Sequence, residues 1–175
     1  MAKKPSTRQI RKAQRELLEP RIAEAGFTGK YSEWHRDTGT AMQFISIDPA
    51  KYGGSFSISG AWGTHKSFGE NLPTLAATKF EDRAKVMRLI PLWHLDGMQH
   101  AYRVSHFEYV HFTADEESCR ALINEALPGL EALLRWFDTK EMGKELGTVF
   151  SAVGSAANPE LLKRIASAKA ELGLY

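Results

Sequence analysis

Residues 55–62 alternate without a break, with Phe56, Ile58, Gly60 and Trp62 on one side of an extended chain and Ser55, Ser57, Ser59 and Ala61 on the other. Successive side chains of a strand point to opposite faces, so one face of this strand belongs to a core and the other is small and polar. A strand with one apolar face requires a second apolar layer. Leu122, Ile123, Ala126, Leu127, Leu130, Leu133, Leu134 and Phe137 recur at helical spacing and supply that layer. The two patterns together predict an α+β fold, an antiparallel meander sheet with an N-terminal helix and C-terminal helices packed on one face.

The flanking segments fill in this plan. Residues 31–36 and 41–47 read as strands joined through Asp37-Thr38-Gly39, a hairpin signal, and 49–54 turn the chain into the strand at 55–62. Further strands are expected at 86–93 and 102–112. Ser6 or Thr7 can cap a first helix whose apolar face is Ile10, Ala13, Leu17, Leu18, Ile22 and Ala25, with Pro20 kinking or splitting it. The capping-box pattern from Thr113 to Glu116 opens the long helix, which Pro128-Gly129 should bend or break. A short helix at 140–146 and a last one from Asn158 to Gly173 would form a C-terminal helical extension over 139–175. Residues 1–6 read as a flexible basic tail on a single domain spanning 1–175. Met42, Phe44, Phe56, Ile58, Leu130 and Leu134 are expected in one core, with the opposite sheet face open.

Composition narrows the class. The 175 residues are 43% hydrophobic and 25% charged, which excludes a disordered chain. Lys and Arg number 23 against 21 Asp and Glu, a net charge of +2, far from that of a dedicated nucleic-acid binder. The basic residues cluster locally: Lys3, Lys4, Arg8, Arg11, Lys12 and Arg15 precede the first acid. They read as the solvated face of the first helix. Cys119 is the single cysteine, so an intrachain disulfide is excluded and the reducing cytoplasm is the expected compartment. No apolar run is long enough for a membrane span and no signal peptide is recognisable, so no membrane association is expected.

Ala25-Gly26-Phe27 at the end of the first helix, the aromatic strand at 31–36, Met42-Gln43-Phe44-Ile45, Phe56-Ser57-Ile58-Ser59, Arg88-Leu89 before Trp93, and Trp136-Phe137 late in the long helix form a series of short strings. Together they resemble a bacterial family known only as a domain of unknown function. The resemblance runs over about residues 17–137. It implies the same α+β architecture and carries no catalytic residues to transfer. Because similar small proteins occur near bacterial toxin systems, it implies an immunity-like or adaptor-like role.

No reaction motif is present. The six histidines, His35, His65, His94, His100, His106 and His111, form no HExxH, and His106-x-Glu108 lacks the downstream cysteines of a zinc deaminase. Gly-x-Ser-x-Gly is absent, and Gly60-x-x-Gly63 has no phosphate-loop lysine. Trp34-His35 and Trp93-His94 each place one member of the pair away from the core. The candidate binding residues are therefore His35, Ser57, Ser59, His65, Trp93, His94 and His106, of which His35, Ser57, Ser59 and His106 are expected together on an open sheet face near the loop at 63–79. No metal and no cofactor are expected. The leading expectation is a non-enzymatic protein-interaction module with a protein partner. A hydrolase using histidine and carboxylate around His106 and Glu108 is the alternative, and nucleic-acid contact through the basic first helix is weaker still.

Overall fold

The computed structural model of the chain describes residues 4–64, 88–91, 93–94, 103–104, 107–110, 112–141 and 146–149. Helix α1 (Thr7–Leu17) begins at Ser6, whose hydroxyl accepts from the Gln9 backbone while the Gln9 side chain accepts from the Ser6 N–H at 3.0 Å. This reciprocal capping satisfies two amides that the first turn leaves unpaired. Ser6 is thus part of the folded helix rather than of a tail, and Pro5 beside it is buried. Pro20 has no N–H to continue the ladder, and the helix divides there into α1 and α2 (Glu19–Glu24).

Helix α3 (Glu116–Thr139) is capped by Asp115, not by Thr113. The Asp115 carboxylate accepts from the Ser118 N–H at 2.7 Å, and the Thr113 hydroxyl donates to that carboxylate. An ionised acceptor at the positive end of the helix dipole outcompetes a hydroxyl for the role. The helix runs unbroken through Pro128, which is exposed, so the missing ladder bond lies on the solvent side. Lys140 ends it in the left-handed conformation at φ +62.

The main sheet comprises β1 (Thr28–Lys30), β2 (Glu33–Asp37), β3 (Ala41–Pro49), β4 (Ser55–Thr64), β5 (Arg88–Pro91) and β9 (Leu146–Val149) in that order, every pair antiparallel. β8 (Phe107–Glu108) pairs with the start of β4, while β6 (Trp93–His94) and β7 (Arg103–Val104) form a separate two-stranded ladder. The α+β architecture holds. Three elements depart from the expectation: β1 has no periodic signal in Thr-Gly-Lys, the strand expected at 102–112 is limited among the described residues to Arg103–Val104 and Phe107–Glu108, and Leu146 opens a sheet strand where a short helix was expected. The last expected helix and the 63–79 loop beyond Thr64 lie outside the described residues.

Register decides the two faces. Ile47 stands opposite Ile58, Ile45 opposite Gly60, and Trp34 opposite Ile45. These residues meet Ile10, Ala13, Leu18 and Ile22 of the first two helices and Cys119, Leu122, Ile123, Ala126, Leu130, Leu133, Trp136 and Phe137 of α3 in one core. Gly60 lets α3 approach, because a Cβ there would lie 2.5 Å from Leu133 Cδ1. Met42 and Phe44, expected in this core, instead join Ala61 in a small cluster on the opposite face. Leu134 is half-buried at the core's margin. The cause is that β3 is apolar on both faces, so alternation alone did not say which set meets the helices.

Candidate functional site

The sheet face opposite the helices does carry His35, Ser57 and Ser59, but it is not an open polar depression. Ser57 and Ser59 are 9% and 5% exposed, and Met42 and Phe44 beside them are 2% and 3% exposed. Ser46 and Ser59 each donate to Asp48 Oδ2, at 3.0 and 3.1 Å, which satisfies the hydroxyls that burial would otherwise strand. His35 faces this side while Trp34 faces the helices, resolving the pair that alternation had left open. The His35 Nε2 lies 3.2 Å from Thr28 Oγ1 on β1, so the ring is engaged with its neighbouring strand rather than with the serines.

Trp93 and His94 pair with Val104 and Arg103 in the separate ladder. His65 and His106 lie outside the described residues, and with His106 the centre of the hydrolase alternative. Among the described residues, no three histidine, cysteine, aspartate or glutamate side chains converge to hold a metal ion. Burial pushes the Cys119 thiol up, and Asp115 and Glu116 push it in the same direction, which suits a packed thiol better than a nucleophile. No helix of the described residues is long and apolar enough to cross a membrane.

Among the described residues, a concavity lies elsewhere. A groove of about 550 Å³ runs between the first two helices and the start of the sheet, lined by Arg15, Glu19 and Ala23 on one wall and by Phe27, Thr28, Gly29, Lys30, Tyr31 and Trp34 on the other. Its floor is fixed from below. The Arg36 guanidinium lies 4.7 Å from the Phe27 ring centroid and donates to the Ala25 carbonyl at 2.7 Å, to Gln43 Oε1 at 2.7 Å and to Asp138 Oδ1 at 2.5 Å. Gln43, itself buried, passes the contact on by donating to the Phe137 carbonyl. One arginine therefore ties β2, β3, the end of α2 and the end of α3 together beneath the groove.

Tyr31 forms the centre of the groove. Its hydroxyl donates to Gln14 Oε1 at 2.8 Å, its ring meets Trp34 edge-on at 6.2 Å, and the guanidinium groups of Arg11 and Arg15 lie 5.8 and 5.2 Å from its centroid. Burial pushes the Tyr31 hydroxyl up, against the opposing pull of the two arginines. Lys12, flanking them on the same helix, pairs instead with Glu16 and Glu116, and Glu16 also with Arg120, joining α1 to α3. Among the described residues neither Arg11 nor Arg15 has an ion-pair partner. The sequence reading missed this cluster. The spacing of Arg11 and Arg15, one helical turn apart, was legible, but Tyr31 beneath them was not.

The groove opens onto β1, the terminal strand of the sheet, all three of whose residues are exposed. Gly29 makes that strand possible: at φ +147 it places its backbone so close to β2 that a Cβ would lie 2.4 Å from the Glu33 carbonyl oxygen. The fold and this site define an α+β domain with an accessible sheet edge beside a cationic, aromatic-floored groove. No family model matches the chain, and no curated protein or solved structure matches it.

Proposed function

We propose that this chain is a non-enzymatic protein-interaction module, of the immunity or adaptor kind, and that it engages its partner at the β1 edge and the adjoining groove. One observation carries the reading. An exposed strand that ends the sheet lies directly beside a groove lined by Phe27, Tyr31 and Trp34, and a sheet edge of this kind is where another chain can add as a strand. The rigid floor supports the same reading, since Arg36 and Gln43 hold the wall residues in place before any partner arrives.

The test is hydrogen–deuterium exchange on the complex isolated from the native host. Protection confined to residues 15–23 and 27–34 is the expected result. Protection confined to other segments overturns this site. A chain that purifies alone and turns over a substrate at its histidines overturns the module reading itself.

A further inference from the structure

The groove's chemistry narrows what the edge can accept. We infer that the partner presents an acidic segment in extended conformation, which adds as a strand to β1 while its carboxylates meet Arg11 and Arg15; this rests on the interaction-module reading. Two observations converge on that ligand class.

The first is the edge itself. β1 ends the sheet, its residues Thr28, Gly29 and Lys30 are exposed, and among the described residues no strand pairs with its outer side. Main-chain donors and acceptors on such an edge are met by another polypeptide in extended form, whose own groups have matching spacing. A nucleic acid backbone offers acceptors but no donors at that spacing, so it satisfies only part of the edge.

The second is charge. Arg15 and Lys30 line the groove against the single carboxylate of Glu19, and Arg11 adds a third cation over Tyr31. Lys30 stands opposite Glu33 in the β1–β2 register, so the surplus rests on the two arginines. They are held over the tyrosine face with no carboxylate partner among the described residues, an arrangement that leaves their outer donors available for bidentate contact with an incoming carboxylate.

Fluorescence anisotropy on the full chain tests this with four labelled probes: a peptide alternating Glu and Val, the same peptide N-methylated at alternate backbone positions, a peptide alternating Lys and Val, and oligo-deoxythymidine. The Glu-Val peptide should bind at least tenfold tighter than the Lys-Val peptide, and N-methylation should weaken it at least tenfold. Arg11→Glu with Arg15→Glu should weaken it by a similar factor while the circular dichroism spectrum is retained. Arg15→Gln, which removes charge without reversing it, should fall between. Equal binding of the two peptides, or indifference to N-methylation, overturns the inference. Tighter binding of the oligonucleotide than of the Glu-Val peptide replaces it with nucleic-acid contact. If the peptides fail while exchange protection in the native complex still maps to 27–34, the acidic-strand chemistry is wrong and the module reading stands. If both fail, the edge is not a binding site.

Discussion

Gly60 of β4 lies directly against Leu133 of α3, and substituting both tests how that helix is docked. A Cβ on Gly60 would sit 2.5 Å from Leu133 Cδ1, 3.1 Å from Phe137 Cζ and 3.2 Å from Leu133 Cδ2. Carbon atoms pack at roughly 3.5–4.0 Å, so the leucine would have to retreat by about 1 Å. Leu133 is fully buried and Phe137 is 1% exposed, which leaves little room for that movement. Gly60→Ala should therefore cost about 1–3 kcal/mol of overpacking. Reduced freedom of the unfolded chain returns about 0.4–1 kcal/mol, since Gly60 is not in the left-handed region. A net loss of about 1–2 kcal/mol is expected.

Leu133→Ala alone removes a fully buried side chain and should cost about 2–5 kcal/mol. In the double variant the methyl group introduced in place of the Gly60 hydrogen enters the space that Leu133 vacates. The two losses should then fail to add, with a favourable coupling of about 1–2 kcal/mol in a double-mutant cycle. Urea unfolding of the four proteins measures it, provided the slopes agree. Additivity within about 0.3 kcal/mol would refute the contact, and with it the position of α3 over β4.

Arg36→Ala should cost about 2–3 kcal/mol, because Gln43 and the Ala25 carbonyl lose a charged donor in a half-buried site. Asp138→Ala should cost under about 1 kcal/mol, since that carboxylate is 64% exposed, and chemical denaturation of the two variants checks the ranking. Ser6→Ala should lose about 1 kcal/mol in thermal melts through the α1 cap, and an unchanged melting temperature would return Ser6 to a tail. Asp115 is held down to about 2 by the Thr113 hydroxyl first and then by the Ser118 N–H and hydroxyl. Its folded value lies below its ordinary 3.8, so the stability it contributes is present above about pH 4 and is lost as pH falls toward 2. Asp115→Asn should flatten the stability profile in that window while keeping the helix capped, as an acid titration followed by circular dichroism will show.

The parts of this fold that were legible in the sequence are those where one periodicity dominates a segment. β4 alternates between Phe56, Ile58 and Gly60 and the serines, and α3 repeats its apolar face from Cys119 to Phe137, so each could be assigned to a layer from its own residues. β3 could not, because Met42 and Phe44 are as apolar as Ile45 and Ile47. Only pairing with β2 and β4 decides which set meets the helices, and pairing is a long-range fact. The consequence reached the site: Met42, Phe44, Ser57 and Ser59 on the far face are all buried, and Ser46 and Ser59 there donate to Asp48. The groove was hidden for a related reason. Arg11 and Arg15 look like an ordinary solvated helix face until the turn after β1 carries Tyr31 beneath them, and β1 exists because Gly29 allows three residues without any alternation to lie against β2. A site built from a helix face, a turn and a sheet edge leaves no spacing signature in the chain. It is found only where tertiary packing brings charges with no ion-pair partner among the described residues to the strand that ends the described sheet.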